Sequence, residues 1–155
     1  MTVSSNVATV EQSGDQPALN VKRNGVWIRW TYKEYLEDVK TVAKALIKLG
    51  LKPHYSVNIM AYCPEWFITN FAAIVAGGLG TGIYTTNTAD ATRYVAQHSR
   101  CNIMVVDDQE QLDKVESIRD QLTELKAVVQ IGDYLPDGIS PVSYTHLTLP
   151  TKRIV

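Results

Sequence analysis

Side chains that could do chemistry are few in this chain of 155 residues, and two of them follow an apolar run. Asp107 and Asp108 come directly after residues 102–106, which are predicted to form a strand. Ligands of parallel α/β sheets bind at the carboxyl ends of strands, so these carboxylates could bind a ribose or a metal. The alternative, that one of them caps the helix beginning near Gln109, is favoured because Asp is a preferred N-cap residue.

The cysteines and histidines give weaker indications of a site. His98 and Cys101 are three residues apart, which suits a pair of metal ligands, but zinc sites normally have three or four protein ligands. We therefore predict no metal site there. Cys63 and Cys101 are isolated in sequence, which favours reduced cysteines in a cytosolic protein over a disulfide framework.

Three alternating glycines resemble the start of a dinucleotide-binding GxGxxG pattern: Gly78, Gly80 and Gly82. That fingerprint follows a strand and opens a helix, whereas these glycines follow a helical pattern and open a strand-like one. We predict a helix C-cap and close strand packing instead.

Five aromatic residues could be interpreted as a ligand platform, but core packing and cross-strand contacts explain them at least as well. They are Trp27, Trp30, Tyr32, Tyr35 and Trp66.

The elements that position these residues begin with a hairpin. Residues 18–21 and 26–30 flank the Arg23-Asn24-Gly25 stretch, which is a strong turn signal. Thr31 and Glu34 then form a capping-box pattern. The helix that follows ends at Gly50 and Pro53, and its predicted buried stripe is Tyr35, Leu36, Val39, Val42, Ala43, Leu46 and Ile47.

Strand and helix patterns alternate beyond this helix, which predicts an α/β fold with a doubly wound parallel sheet. We expect strands at 56–60, 82–85, 102–106 and 127–131, and helices at 65–76, 89–97 and 109–122. Glu110 and Lys114 are predicted to pair across one turn of the last helix.

The run 66–84 is uncharged and long enough to suggest a membrane span. Its glycines weaken a continuous helix, and the residues that follow favour β structure. We therefore predict a buried helix followed by a strand, and keep a membrane anchor over 66–84 as an alternative.

The two ends of the chain differ from the middle. Residues 1–17 lack a basic region and an apolar core, so we predict a flexible leader and not a secretory signal. The amino-acid sequence of residues 142–151 is identical to the translation of a transposase adapter used in short-read sequencing. We therefore predict that 142–155 is a translated adapter and not native sequence. A genuine strand is the alternative.

The charge of the chain excludes one class of partner. The predicted tail carries two basic and no acidic residues, so without it the formal net charge moves from −1 to −3. A mildly acidic chain has no basic surface for nucleic acid, so we predict no nucleic-acid partner.

A family resemblance runs through the middle of the chain. The stretches PEWFI, AIVAGG and GIYTTNTADATRYV resemble the N-terminal part of long-chain fatty acid–CoA ligases, in particular the bubblegum-type branch of the AMP-forming acyl-activating (ANL) superfamily. The resemblance spans about 21–132, and one turn at MAYCPEWF is a residue shorter than is usual in the family. It implies that 18–141 is an incomplete portion of a larger adenylating-enzyme N-terminal domain.

The resemblance also implies a function for the complete enzyme. Such ligases join a long-chain fatty acid to AMP with ATP and magnesium and then transfer the acyl group to CoA. The chain has no loop like YTSGTTG, the family's phosphate-binding motif, and lacks its later catalytic residues. We therefore assign no catalytic, cofactor-binding or metal residue, and expect this polypeptide alone to bind no cofactor and to be inactive. The implied location is cytoplasmic, with peripheral contact to the endoplasmic reticulum or other internal membranes left open.

Two alternatives come from other classes of protein. One is a non-catalytic short isoform that acts as an interaction module, which requires a native transcript ending near the codon for Pro141. The other is the membrane-anchored protein held by 66–84, which carbonate extraction would distinguish.

Overall fold

A computed structural model describes residues 3–131, and side chains from residue 8 onward. The helices are α1 (Val3–Ser13), α2 (Tyr32–Lys48), α3 (Pro64–Val75), α4 (Ala89–His98) and α5 (Gln109–Glu116), with a 3₁₀ turn at Arg119–Gln121. The strands are β1 (Pro17–Arg23), β2 (Val26–Thr31), β3 (Ser56–Met60), β4 (Leu79–Gly82), β5 (Cys101–Val106) and β6 (Ala127–Gln130).

The predicted hairpin and capping box are both present. β1 and β2 pair antiparallel, and the turn residues Asn24 and Gly25 have φ values of 49° and 81°. A tight two-residue turn of type I′ needs positive φ at both positions, which explains the Asn-Gly pair. Thr31 N donates to Glu34 Oε2 at 2.9 Å, and Glu34 N donates to Thr31 Oγ1 at 3.2 Å, so α2 begins where the pattern predicts.

The second sheet is parallel, with the strand order β4-β3-β5-β6. β3, which comes first in the chain, is an inner strand of this sheet. The chain then adds β4 on one side of β3 and crosses to the other side to add β5. This order confirms the predicted doubly wound sheet.

Side chains alternate between the two faces of this sheet and form two cores. Val57 and Ile59 of β3 face α2 and α3, whereas Met60 faces the side of α4 and α5. All residues of β3 and β5 are buried, as expected for parallel strands covered on both faces.

The hairpin is attached to α3 by an ion pair that sequence patterns do not reveal. Arg23 donates through one nitrogen to both carboxylate oxygens of Glu65, at 2.8 and 2.7 Å. The Glu65 side chain is only 1% exposed, so Arg23 is the cation that compensates its burial. Glu65 also lies in the first turn of α3, where a carboxylate complements the helix dipole.

Glycines end α2 and α3 as predicted. Gly77 has φ 81° and donates to Ile74 O, while Gly78 N donates to Ala73 O at 2.8 Å. These two bonds define a Schellman motif, and Gly50 ends α2 in the same way. Of the three glycines in the GxGxxG-like spacing, Gly78 belongs to this cap, while Gly80 and Gly82 lie in β4, where a Cβ on Gly80 would clash with the Asn70 side chain.

Three boundaries or contacts differ from the prediction. The predicted strand at 82–85 is wrong except at Gly82, since β4 is Leu79–Gly82: the chain joins β3 as soon as the Gly77-Gly78 turn is complete. α5 ends at Glu116 because the chain must turn to bury Ile118 and Leu122. Ile47 is 56% exposed and lies off the buried stripe of α2.

The predicted flexible leader is corrected over most of its length, since α1 occupies Val3–Ser13. α1 contacts α2, with Val10 lying near Tyr32 and Leu36, so apolar contact favours order where composition favoured disorder. The adapter prediction for 142–155 lies outside the described residues.

The uncharged run 66–84 is divided between α3 and β4, which confirms the predicted helix and strand. No helix between residues 3 and 131 has the length and apolar character needed to cross a membrane.

Replacing Gly78 by Ala should destabilise the chain by about 1–3 kcal/mol, the usual cost of overpacking. A Cβ there would lie 2.9 Å from the Tyr55 carbonyl oxygen and 2.9 Å from Leu51 Cδ2, and the backbone cannot move away easily. Urea unfolding followed by tryptophan fluorescence measures the change. Gly82→Ala is the matched control, since its Cβ meets nothing closer than 3.4 Å, and equal losses for the two variants would contradict the packing argument.

Replacing Arg23 by Met should lower the free energy of unfolding by about 3 kcal/mol, because removing one partner leaves a buried carboxylate unpaired. The double variant Arg23→Met with Glu65→Met should recover part of that loss. A double-mutant cycle in urea gives the coupling energy. Additive losses would show that the two side chains do not stabilise each other.

Candidate functional site

A groove of about 820 Å³ lies at the carboxyl ends of β3 and β4. One wall is the residues after β3 and the start of α3, including Tyr62, Trp66 and Phe67. The opposite walls are β1, through Leu19 and Val21, and the residues around Ile83 and Tyr84. Within residues 3–131, no charged side chain lines this groove. We call it the carboxyl-edge groove.

Beside the groove lies the switch point of the sheet, the place between β3 and β5 where the strand order reverses. A hydrogen bond connects the two strand ends there. Tyr62 N donates to Asp107 Oδ2 at 2.8 Å and so holds the loop after β3 against the end of β5. The other oxygen, Asp107 Oδ1, is buried and has no hydrogen-bond partner among the described residues. Switch points are where doubly wound sheets bind ligands, and at this one the loop after β3 is hydrogen-bonded to the end of β5.

The two aspartates have different structural roles. Asp108 is the N-cap of α5, where Oδ1 accepts from Gln111 N at 2.8 Å. The favoured capping interpretation is therefore confirmed for Asp108, while Asp107 connects two strand ends.

The five predicted aromatics do not form one platform. Trp30 is buried in the core, and its Nε1 donates to Asp38 Oδ2 at 2.9 Å, whereas Trp27 is 56% exposed on the hairpin. Tyr35 lies on α2 and donates to Phe67 O at 3.2 Å. Of the five, only Trp66 lines the groove, where its ring contacts Phe67 edge to face at 5.3 Å between centroids.

The groove aromatics Tyr62, Phe67 and Tyr84 were not singled out from the sequence. The sequence did indicate that these positions could line a site, because all three lie beside the predicted helix start or strand end. No sequence pattern, however, shows that two separate loops meet.

Cys63 precedes α3 and lines the groove. Burial, followed by the nearby charge of Glu65, raises the pKa of its thiol to about 12. A thiol with this pKa stays protonated at neutral pH, so Cys63 is not an activated nucleophile.

The structure does not place His98 and Cys101 in a shared site. The ring of His98 stacks on Tyr94 at 5.8 Å between centroids, and Cys101 is buried with Sγ donating to Ile103 O at 3.2 Å. The part of the chain that is described contains no group of three or more histidine, cysteine and acidic residues able to hold a metal ion.

The predicted Glu110–Lys114 pair is replaced by other contacts. Lys114 Nζ donates to Thr85 O at 2.6 Å and to Gln111 Oε1 at 2.8 Å, so it connects α5 to the loop after β4. Lys114 therefore contacts the Thr85 carbonyl of another element and not the exposed carboxylate of Glu110 on its own helix. Ion pairs between exposed side chains contribute little to stability.

The groove can bind apolar surface, and the titratable side chains that line it are the phenols of Tyr62 and Tyr84 and the thiol of Cys63. Its lining side chains are apolar or aromatic, apart from Asn20 and the protonated thiol of Cys63. General acid–base catalysis needs a titratable group with a pKa near the working pH. The predicted lack of catalytic residues stays a prediction.

At pH 8, iodoacetamide should alkylate Cys63 about a thousandfold more slowly in the folded chain than in the urea-unfolded chain. A thiol with a pKa of about 12 instead of 9.0 holds about a thousandth of the thiolate at that pH. The rate in the folded chain should rise with pH, since the thiolate fraction increases. Mass spectrometry of the Cys63 peptide measures both rates, and equal rates at pH 8 would contradict the shift.

The comparisons with known proteins all indicate the same family. The AMP-binding enzyme family matches residues 7–143. The chain is 45% identical over 130 residues to the long-chain-fatty-acid–CoA ligase ACSBG2 of Xenopus laevis, covering 83% of this chain and 18% of the relative. It is 43% identical over 122 residues to ACSBG1 of Bos taurus, covering 78% of this chain and 17% of that protein. The bubblegum-type resemblance is thereby confirmed, and the chain spans less than a fifth of the length of these relatives.

Solved structures share the fold. The anthranilate CoA ligase AuaEII, in complex with anthranoyl-AMP, superimposes with a TM-score of 0.75 at 25% identity, over 86% of this chain and 25% of that one. The acetoacetyl-CoA synthetase of Streptomyces lividans gives a TM-score of 0.74 at 23% identity, over 87% of this chain and 23% of that one. With the family match, the sheet order and these similarities in agreement, the chain belongs to the AMP-binding enzyme family.

Proposed function

We propose that this chain is an N-terminal portion of an ATP-dependent long-chain fatty acid–CoA ligase. The observation that carries the proposal is the 45% identity over 130 residues to a ligase of this kind. The complete enzyme would use the fatty acid carboxylate to displace pyrophosphate from ATP, forming an acyl-AMP. The CoA thiol would then displace AMP and leave the acyl group as a thioester.

The chemistry of this proposal does not reside in the described residues. ATP and magnesium require phosphate-binding amides and acidic ligands, and the carboxyl-edge groove offers neither. The residues present therefore do not fit the cofactors, and no step of the reaction is assigned to them. Their role would be structural, through the four-stranded parallel sheet that they form.

The proposal extends to cofactors, partners and location. The complete enzyme would use ATP, magnesium, CoA and a long-chain fatty acid in the cytoplasm, including the surface of the endoplasmic reticulum or other internal membranes. The mildly acidic composition is in keeping with no nucleic-acid partner.

A chimaeric ligase tests the function. Residues 18–131 of this chain replace the matching segment of the Xenopus laevis ligase, and acyl-CoA formation from a long-chain fatty acid, ATP and CoA is measured. We expect a rate within about tenfold of the parent, because a scaffolding segment carries little transition-state stabilisation. The chain alone should form no acyl-CoA.

Two results would contradict the proposal. A chimaera that folds, as judged by its circular dichroism and thermal transition, but makes no acyl-CoA would show that this segment does not belong to such a ligase. Acyl-CoA formation by the purified chain alone would show that the catalytic groups lie within it. The control is the same replacement made with the acetoacetyl-CoA synthetase segment of Streptomyces lividans, which should retain less activity.

A further inference from the structure

The turn of the hairpin places an asparagine side chain beside an unhindered backbone nitrogen. Asn24 and Gly25 are both exposed, and they lie outside the β1–β2 ladder, whose last pair is Arg23 and Val26. A Cβ placed on Gly25 would meet no atom within 4 Å apart from its chain neighbours, so nothing packs over the turn. The Gly25 nitrogen is therefore open to reaction with the amide carbon of the preceding side chain.

An asparagine in this position can modify itself without an enzyme. The Gly25 nitrogen forms a bond to Asn24 Cγ, the bond from Cγ to the side-chain nitrogen breaks, and ammonia leaves with the proton of the Gly25 amide. The product is a five-membered succinimide ring. Water then opens the ring at either carbonyl, which gives an aspartate or an isoaspartate. In the isoaspartate the main chain runs through the former side chain.

Among the seven asparagines of the chain, Asn24 is the one that precedes a glycine. Asn20 is also exposed on the hairpin, but the branched Cβ of Val21 hinders the nitrogen that would attack it. Ring closure requires rotation about the Asn24 backbone, so the turn must open. The hairpin is a sheet of two strands, and both two-stranded ribbons and loop tips open at little cost in free energy. The folded structure therefore permits the reaction.

Modification at this position acts on the ion pair between the hairpin and α3. Asn24 directly follows Arg23, whose Nη2 lies 2.8 and 2.7 Å from the two carboxylate oxygens of Glu65. Isoaspartate adds one carbon to the main chain of a two-residue turn, and turn length fixes the register of a hairpin. The end of the ladder, and Arg23 with it, is then displaced. Because Glu65 is 1% exposed, it is left buried without its cation.

We propose that Asn24 is a site of spontaneous deamidation, and that its isoaspartyl product disconnects the hairpin from α3 by breaking the Arg23–Glu65 pair. The aspartyl product keeps the length of the main chain and suits the same turn, since Asp-Gly is also a preferred type I′ pair. The two products of one reaction therefore differ in their effect on the fold. This inference concerns the described residues alone and does not depend on the proposed function.

Ageing of the purified full chain tests the site. The folded chain is incubated in mildly alkaline buffer, and peptide mass spectrometry follows the replacement of side-chain amides by carboxylates. Asn20 is the matched control, because it is exposed on the same hairpin but precedes a β-branched residue. We expect Asn24 to be lost while Asn20 remains an amide. Equal rates at the two positions would overturn the inference, and so would an Asn24 that reacts only after the chain is unfolded in urea.

Urea unfolding tests the effect on the ion pair. The isoaspartyl chain is purified from the aged sample and compared with the fresh Asn24→Asp and Arg23→Met variants. We expect its unfolding midpoint to fall close to that of Arg23→Met, and the midpoint of Asn24→Asp to fall less. Ageing of Arg23→Met should cause no further fall, because the pair is already absent. Equal midpoints for the isoaspartyl chain and Asn24→Asp would overturn the inference.

Hydrogen exchange makes the same comparison if Arg23→Met does not fold. The backbone amides of β1 and β2 should exchange faster in the isoaspartyl chain than in the unmodified chain, while those of Asn24→Asp should change less. Equal exchange in the isoaspartyl and Asn24→Asp chains would show that the longer main chain does not displace the hairpin, and would overturn the inference.

Discussion

The structure depends on burying β3 and β5 on both faces at once. Every residue of these two strands is inaccessible, so each needs a helix layer above, a helix layer below and a strand on either side. α2 and α3 supply one layer, and α4 and α5 supply the other. Hydrophobic burial drives this arrangement. Apolar side chains point to both faces of the sheet, so in any strand register an uncovered face would expose apolar side chains to water.

The hairpin is attached to this framework by the apolar packing of Trp30 and its neighbours on the core and by one ion pair. Arg23 and Glu65 are separated by 42 residues, and a carboxylate that is 1% exposed is tolerated only with a partner. The pair therefore connects the end of β1 to the start of α3. β1 and α3, which the pair connects, form two walls of the carboxyl-edge groove.

Local patterns predicted most of the secondary structure because its signals are local. The Asn24-Gly25 turn, the Thr31–Glu34 capping box and the Gly50 helix end each act within a few residues. Apolar runs without polar alternation likewise marked β3 and β5 as strands covered on both faces. These features need no knowledge of the rest of the fold.

Contacts between distant residues were the part that could not be predicted. Sequence spacing paired Lys114 with Glu110, but the structure pairs it with a carbonyl of the loop after β4. Spacing also cannot show that Asp107 accepts from Tyr62, 45 residues away. α1 was missed because its order comes from packing on α2, which composition does not reveal. The groove is likewise a property of two loops meeting, so single patterns did not find it.

The strand order has a consequence for synthesis on the ribosome. β3, the first strand of the parallel sheet to be made, lies inside it, and β4 and β5 pair with its two sides in the order in which they emerge. Each new strand therefore finds its neighbour already synthesised, and β6 finds β5 in the same way. Such a sheet can grow outward from its centre as translation proceeds, with no need to open an existing strand pair to admit a later one.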